Sequence, residues 1–282
     1  MKIKFQKYSG TGNDFIVIDN RNKILTSNIP ELVKKVCLRK ISVGADGVLL
    51  LENSSIADFK MRIFNSDGSE AEMCGNGARC IAMFAYKNGI INQKMNFETL
   101  AGIVYAEIID EKNVKIKLSE PKDYKSEVNI KLKNNRIIKA SFINTGVPHT
   151  VIIHNQKNFF SMDITNIGRE IRYHKIFQPA GTNVNFVKKE KDKNYIRTYE
   201  RGVEDETLAC GTGSTATAII LAIKYNLKSP VSLITKSGEQ LRIHFNNEKI
   251  KEMRNSKFDS ETKFEAYLEG PVNLIYTAEM EI

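Results

Sequence analysis

Two cysteines stand in matching glycine-rich settings, and this duplication constrains the fold more than any other feature of the chain. The first setting is Cys74-Gly75-Asn76-Gly77 and the second is Cys210-Gly211-Thr212-Gly213. Each lies directly ahead of a segment whose small and apolar residues recur with helical spacing, which predicts a helix packed closely inside a curved sheet. A unit that occurs twice at half-chain distance indicates two similar lobes.

The two thiols suggest a chemistry. A cysteine at the start of a helix faces unpaired backbone N–H groups and the positive end of the helix dipole, which favour the thiolate. Neighbouring glycines let backbone amides approach an α-carboxylate and stabilise the charge that develops as the α-proton leaves. Because a planar carbanion is protonated from either face only if an acid/base group stands on each side, one thiol per lobe predicts a two-base catalyst of proton transfer.

Strand-like runs dominate the first half of the chain, with helices predicted at 30–40 and after Cys74. From about residue 140 the order repeats, with a helix predicted at 166–174 and another after Cys210. A glycine-then-asparagine strand entry also occurs in both halves, at 10–15 and at 181–186. The predicted strands lie at 15–19, 47–52, 59–65, 96–110, 114–118, 150–154, 183–188 and 195–199.

These patterns predict an α+β fold of two similar lobes, each a barrel-like, mostly antiparallel sheet around a central helix, with the active site in the cleft between them. Proline and charge break the pattern at 121–126. We therefore expect an N-terminal lobe of residues 1–122, completed by C-terminal strands at 268–282, and a C-terminal lobe of residues 123–267. The polar stretch 246–263 is interpreted as a surface insertion.

The chain is basic, with a formal net charge of +9 in 282 residues. Its lysines are scattered singly, so a solvated surface explains the charge and no nucleic-acid partner is expected. The sequence has no signal-peptide core or bilayer-length apolar run, and its four cysteines lack disulfide or zinc-site spacing. We expect a cytoplasmic protein with free thiols, no metal and no membrane partner, in which Cys37 and Cys80 belong to the core.

Glu200 and Arg201, close to the second cysteine, admit two interpretations. A carboxylate can bind a substrate ammonium, and a guanidinium can clamp a carboxylate with two hydrogen bonds. A surface salt bridge explains the same pair equally well. A structural role is likewise the ordinary explanation for four other candidates: a turn or helix cap for Asn13, Asn65 and Asn183, and packing for His149.

Taken together, the motifs closely resemble those of the diaminopimelate epimerase family. In chain order they are GTGNDF at 10–15, FNSDG at 64–68, CGNGARC at 74–80, GTN at 181–183, and the segment from ERG at 200–202 to CGTG at 210–213. They span nearly the whole chain. The resemblance implies a metal-free enzyme with no cofactor, independent of pyridoxal phosphate, that interconverts LL- and meso-2,6-diaminopimelate on the way to lysine and peptidoglycan.

The same resemblance implies a role for each matching residue. Cys74 and Cys210 would be the opposed proton donor and acceptor, and Arg201 would bind the distal carboxylate. Glu200 and His149 would orient the substrate and tune the thiols. Backbone amides for the α-carboxylate would come from Gly75, Asn76, Gly211 and Thr212, and further substrate contacts from Asn13, Asn65 and Asn183.

Two positions depart from a pattern that is common in the family. Val147 stands before Pro148-His149 where many members have a substrate-binding Asn, and Gly47 follows Asp46 where some members have Gln. These departures affect individual substrate contacts rather than the pair of thiols.

Rival interpretations stay open. Proline racemase and related epimerases share the fold and use two thiols, although their first motif usually has His where this chain has Asn76. A non-catalytic amino-acid or anion sensor would use the same backbone cradles. A cysteine hydrolase is disfavoured because neither thiol has a recognisable His partner in the sequence. Diaminopimelate is the expected small-molecule partner, and a homodimer is one option for the assembly.

Overall fold

The computed structural model describes residues 2–154, 157–255 and 264–281. The chain divides into two compact units, which we call the first unit (residues 1–117 with 270–282) and the second unit (residues 118–269). Both combine a large sheet with a few helices, so the predicted α+β class is confirmed.

The described residues of the first unit form one sheet and two α-helices. Its strand order is β18-β1-β2-β3-β4-β6-β7-β8, with the short β5 beside β4; the β2–β3 and β4–β6 pairs are parallel and the others antiparallel. The elements are β1 (Lys2–Gly10), β2 (Asn13–Asp19), α1 (Ile29–Cys37), β3 (Gly47–Glu52), β4 (Phe59–Asn65), β5 (Glu70–Ala71), α2 (Gly75–Lys87), β6 (Lys94–Thr99), β7 (Gly102–Ile108), β8 (Asn113–Lys117) and β18 (Asn273–Glu281).

Among its described residues, the second unit contains one sheet, three α-helices and two short 3₁₀ helices, Phe159–Ser161 and Lys175–Phe177. Its strand order is β9-β10-β11-β12-β13-β15-β16-β17, with β14 beside β13; the β11–β12 and β13–β15 pairs are parallel and the others antiparallel. The elements are β9 (Lys122–Lys131), β10 (Ile137–Asn144), β11 (Pro148–Ile153), α3 (Ile164–Arg172), β12 (Asn183–Lys189), β13 (Asn194–Glu200), β14 (Asp205–Thr207), α4 (Gly211–Tyr225), β15 (Val231–Ile234), β16 (Gln240–Phe245), α5 (Asn247–Arg254) and β17 (Ala266–Pro271).

The predicted internal repeat is confirmed, because the two strand orders have the same sequence of parallel and antiparallel pairs. In the first unit α1 precedes β3 of the parallel β2–β3 pair, and α2 precedes β6 of the parallel β4–β6 pair. In the second unit α3 precedes β12 of the β11–β12 pair, and α4 precedes β15 of the β13–β15 pair. One detail of the predicted repeat is wrong. Residues 10–15 form the β1–β2 hairpin, whereas residues 181–186 enter β12, which is the counterpart of β3, so these two segments are not equivalent.

A buried helix lies at the centre of each unit. In the first unit α2 packs against strands from both ends of the order, including β1 and β8, so the sheet curves around the helix. Residues 76–85 of α2 and 213–223 of α4 are buried on every side. Small residues make this possible: a Cβ at Gly77 would lie only 3.2 Å from the side chains of Ile63 and Leu49. The predicted central helices are therefore confirmed.

Helices α1 and α3 cover an outer apolar cluster in their own units. Leu50 and Val33 belong to the cluster beside α1, and Phe186 and Ile171 to that beside α3. Each fully buried side chain of this size contributes about 1.5–3 kcal/mol relative to an exposed one. Burial of Cys37 and Cys80 confirms that both belong to the core.

Three local predictions differ from the structure. Residues 96–110 form two antiparallel strands, β6 and β7, rather than one run. Residues 122–131 form the strand β9 where proline and charge suggested a break, because a mostly exposed strand tolerates such residues. In the stretch 246–263, residues 247–254 form α5, whose Ile250 and Met253 are buried; residues 256–263 lie outside the described part of the chain.

Candidate active site

Cys74 occupies the residue immediately before α2. Its backbone is extended, with φ −141° and ψ 122°, and the helix begins at Gly75. The thiol is partly exposed, and its Sγ lies 3.8 Å from Oδ1 of Asn13, which begins β2 of the same unit. The N–H groups of the first helical turn have no partner within the helix, so this turn is suited to an anionic group.

Cys210 repeats this arrangement in the second unit. Its backbone is again extended, with φ −123° and ψ 115°, and α4 begins at Gly211. Its Sγ accepts a hydrogen bond from the Gly213 backbone N–H at 3.4 Å and lies 3.5 Å from the Thr212 hydroxyl. A Cβ at Gly213 would come within 2.3 Å of Oδ1 of Asn185, so only glycine fits this first turn.

Arg79 ties the turn before Asn13 to the first turn of α2. Its guanidinium is fully buried and donates to the Thr11 hydroxyl at 2.7 Å, to Oδ1 of Asn76 at 2.9 Å and to the Gly75 carbonyl at 3.2 Å. Thr11 has a left-handed backbone, with φ 58°, which a β-branched residue rarely adopts. The buried guanidinium thus holds a strained turn in place beside the candidate carboxylate cradle.

The structure explains the glycine at position 47. Gly47 pairs with Asn65 across β3 and β4, and a Cβ on Gly47 would lie 2.4 Å from the Phe64 carbonyl oxygen. A glutamine therefore does not fit this backbone without a shift of β4. Asn65 is exposed at the end of its strand, and its amide donates to the Ser69 hydroxyl at 3.0 Å.

His149 is a buried neutral imidazole. Asn185 donates from Nδ2 to its Nδ1 at 3.1 Å, so the proton of the neutral ring belongs on Nε2, for which the described residues provide no hydrogen-bond partner. Burial, with a smaller effect of the Arg201 charge, lowers the pKa of His149 to about 3. The ring is therefore uncharged at neutral pH.

Asn183 connects two other candidate residues. Its Oδ1 accepts from the backbone N–H of Arg201 at 2.8 Å, and its Nδ2 donates to the Pro148 carbonyl at 3.0 Å. Because Pro148 precedes His149, one buried amide fixes the backbone at both sites. Asn183 therefore has a structural role, and one donor hydrogen and one lone pair of its amide have no partner among the described residues.

Glu200 and Arg201 leave charge available to a ligand. Among the described residues neither side chain forms an ion pair, so the surface salt bridge that the sequence also allowed is absent there. Burial raises the pKa of Glu200. Arg201 donates one hydrogen bond, from Nη1 to the Ala180 carbonyl at 2.9 Å. Gly202 turns the chain directly after this pair, with φ 95°.

Within each unit the structure thus brings predicted residues together. Asn13 joins Cys74 in the first unit; in the second, Asn183 joins Arg201, and Gly211 and Thr212 follow Cys210. Sequence reasoning missed Arg79 and Asn185. Both lie inside segments that the sequence analysis considered, CGNGARC at 74–80 and the strand entry at 181–186. An arginine within a helix and an asparagine between apolar strand residues both indicate a buried polar side chain that forms hydrogen bonds.

The described residues contain no cluster of three or more His, Cys, Asp or Glu side chains that could hold a metal ion. Within the same part of the chain, no helix has the length and apolar character needed to cross a membrane.

Comparison with known proteins decides the family. The sequence profile described as "Diaminopimelate epimerase" matches residues 5–122 and 141–258. The chain belongs to the diaminopimelate epimerase family. It is 44% identical over 281 residues to the diaminopimelate epimerase of Hydrogenobaculum sp. (strain Y04AAS1), with 96% of this chain and 95% of that protein covered. It is 46% identical over 263 residues to that of Aquifex aeolicus (strain VF5), with 89% and 92% covered.

Solved structures share the fold of this family member at low sequence identity. A hydroxyproline epimerase from Agrobacterium vitis with bound trans-4-hydroxy-L-proline has a TM-score of 0.68 at 15% identity, covering 99% of this chain and 92% of that one. A phenazine biosynthesis protein of the PhzF family from Enterococcus faecalis has a TM-score of 0.71 at 11% identity, with both chains fully covered. At such identities the likeness concerns the fold alone.

Proposed function

We propose that this protein interconverts LL- and meso-2,6-diaminopimelate by proton transfer at one α-carbon, with Cys74 and Cys210 as the two acid/base groups. The observation that carries the proposal is the repetition of one local structure, an extended cysteine at the start of a buried glycine-led helix, in a chain of the diaminopimelate epimerase family.

In the proposed reaction one thiolate removes the α-proton and the other cysteine, as a thiol, delivers a proton to the opposite face of the same carbon. Backbone N–H groups at Gly75-Asn76 and Gly211-Thr212 hold the α-carboxylate, onto which charge is delocalised when the proton leaves. The reverse reaction exchanges the roles of the two cysteines, so each must act as acid and as base.

The second charged end of diaminopimelate explains the available charges in the second unit. The Arg201 guanidinium, without an ion-pair partner among the described residues, suits the distal carboxylate, and the Glu200 carboxylate suits an ammonium group. Proline has neither group at a distal position, so these side chains favour diaminopimelate over a proline-like substrate.

Neutral His149 fits a positioning role better than proton transfer with the solvent. With its proton on Nε2 and its pKa lowered to about 3, the imidazole can donate a hydrogen bond throughout the neutral range without changing charge. We propose that it orients the substrate or tunes a thiol, and that Asn13, Asn65, Asn76 and Asn183 complete the substrate contacts.

The predicted lobes correspond in this proposal to the two units, each supplying one thiol. We further propose a cytoplasmic location, because the spacing of the four cysteines in the sequence is not that of a disulfide framework. A homodimer stays a prediction, for which sedimentation equilibrium is the direct measurement.

The substrate is tested by incubation with LL-diaminopimelate, meso-diaminopimelate, L-proline or trans-4-hydroxy-L-proline in deuterated water, followed by chiral separation and mass spectrometry. We expect inversion and deuterium uptake with both diaminopimelate isomers and neither with the proline compounds. Turnover of a proline compound in preference to diaminopimelate would establish a proline racemase-like activity instead, and binding without deuterium uptake would establish a sensor.

A further inference from the structure

We propose that Asp46 is a positioning residue that fixes the side-chain amide of Asn13 with its oxygen toward the Cys74 thiol. The proposal takes the catalytic role of Cys74 from the proposed function. Asp46 Oδ2 accepts from Nδ2 of Asn13 at 2.7 Å, while Oδ1 of Asn13 lies 3.8 Å from Cys74 Sγ. All three residues belong to the first unit.

A carboxylate sets the direction of this amide. Ionised Asp46 can only accept hydrogen bonds, so the NH2 group of Asn13 must face it, and the carbonyl oxygen of the planar amide then faces the sulfur. An oxygen acceptor at that place receives the S–H hydrogen. It favours the thiol over the thiolate, whereas an NH2 group turned toward the sulfur would have the opposite effect.

Asp46 is itself anchored by several donors. Its Oδ1 receives Arg39 Nη2 at 2.8 Å, and its Oδ2 also receives the backbone N–H of Asp14 at 3.0 Å. Arg39 further contacts the carboxylate of Asp14, which pairs with the buried ammonium of Lys7 at 2.8 Å. Both oxygens of Asp46 are therefore occupied, and the carboxylate has little freedom to release Asn13.

This arrangement serves both directions of the proposed reaction. When Cys74 takes the α-proton, the new S–H bond has an acceptor in place, and when Cys74 is the acid its proton is already held on the sulfur. If the Asn13 amide were free to rotate, a fraction of the protein molecules would have its NH2 group toward the Cys74 sulfur. In those molecules the protonated thiol, which is needed when Cys74 donates a proton, is disfavoured.

The test is the substitution Asp46→Asn with alkylation of the thiols as the readout. An asparagine offers one acceptor oxygen to the three donors of Arg39, Asn13 and Asp14, so the Asn13 amide loses its fixed direction. The protein is treated with iodoacetamide at neutral pH, and the Cys74-to-Cys210 alkylation ratio is measured by peptide mass spectrometry. We expect this ratio to rise at least about threefold because more Cys74 is thiolate, and kcat for epimerisation to fall about tenfold.

A double-mutant cycle separates positioning from the charge of Asp46. In an Asn13→Ala background, the proposal predicts that Asp46→Asn changes the alkylation ratio no further. Asp110→Asn is the matched control, because Asp110 also accepts from an asparagine amide, that of Asn113, and from backbone N–H groups in the same unit; its ratio and kcat should equal those of the wild type.

Either of two results would overturn the proposal: an unchanged ratio in Asp46→Asn, or an equal effect of this substitution with and without Asn13. Alkylation of the buried Cys37 and Cys80 would show that Asp46→Asn has unfolded the protein. In that case Asp46→Ser replaces it, because a serine hydroxyl also fails to fix the direction of the Asn13 amide. Because alkylation needs no substrate, failure here is distinct from failure of the proposed function, which an inactive wild type would show.

Discussion

At the scale of the residue, the chemistry of the site depends on polar groups whose partners are fixed by the fold. Asn183 bonds to the backbone at both Arg201 and Pro148, and Asn185 sets the tautomer of His149. The partners of these two asparagines cannot be read from a motif, because the contacts form between residues that are distant in the sequence. The hydrogen bonds of these asparagine side chains hold the backbone and the imidazole of the candidate site in place.

Arg201 is predicted to be irreplaceable by lysine. An ammonium cannot reproduce the planar two-point contact of a guanidinium with a carboxylate, and loss of one charge-assisted hydrogen bond costs about 1.5–3 kcal/mol. We therefore expect kcat/KM for diaminopimelate to fall by tenfold or more in Arg201→Lys. Arg136→Lys, at an exposed turn of the same unit, is the control; equal kinetics in the two variants would remove Arg201 from the site.

His149 should make stability depend on pH. The unfolded chain protonates this histidine near pH 6.5, whereas the folded protein resists protonation down to its pKa of about 3. Between these values the unfolded state binds more protons, so stability is lost as the pH falls, by at most about 1.4 kcal/mol per pH unit.

Urea denaturation between pH 7 and pH 4 measures this effect. The pH dependence should be shallower in His149→Gln than in the wild type. Parallel curves for His149→Gln and the wild type would show that the buried ring is not the group responsible.

At the scale of the element, the two central helices end differently, and one ending gives a test of the backbone. Asn226 closes α4 in the left-handed conformation, with φ 57°. A β-branched residue there costs roughly 1–2 kcal/mol, so Asn226→Val should lower the free energy of unfolding by about that amount, while Asn226→Gly should not lower it.

The matched control is Asn255→Val, because Asn255 also follows a helix but has φ −85°. Urea denaturation followed by circular dichroism supplies the comparison. A loss in Asn255→Val as large as that in Asn226→Val would attribute the effect to the side chain and not to the left-handed backbone.

Much of the element pattern was predictable from sequence. The strands around Leu49 and Ile63 and both cysteine-led helices follow local signals of periodicity, glycine and capping. Strand β9 was missed because its exposed residues alternate only weakly, and the hairpin within 96–110 was missed because Ala101-Gly102 is a faint turn signal between two strong runs.

At the scale of the whole molecule, internal repetition was readable from the cysteine settings but its alignment was not. Strand order and direction depend on pairing between distant segments, so a shared short motif could not show that 10–15 and 181–186 enter different strands. The two proposed catalytic cysteines were accessible to sequence reasoning because each directly precedes a helix. Asp46 was not, because its contact with Asn13 depends on the pairing of β2 with β3, which a local motif does not show.

The central claim is that two thiols serve the two faces of one α-carbon. The most direct measurement follows LL-diaminopimelate in deuterated water at low conversion, with mass spectrometry of chirally separated product and recovered substrate. With two bases, the product receives deuterium from the thiol that did not take the proton. We therefore predict that essentially every meso molecule carries one deuterium, while recovered substrate carries little. Product that retains the original hydrogen would show that one base serves both faces, and would contradict the account.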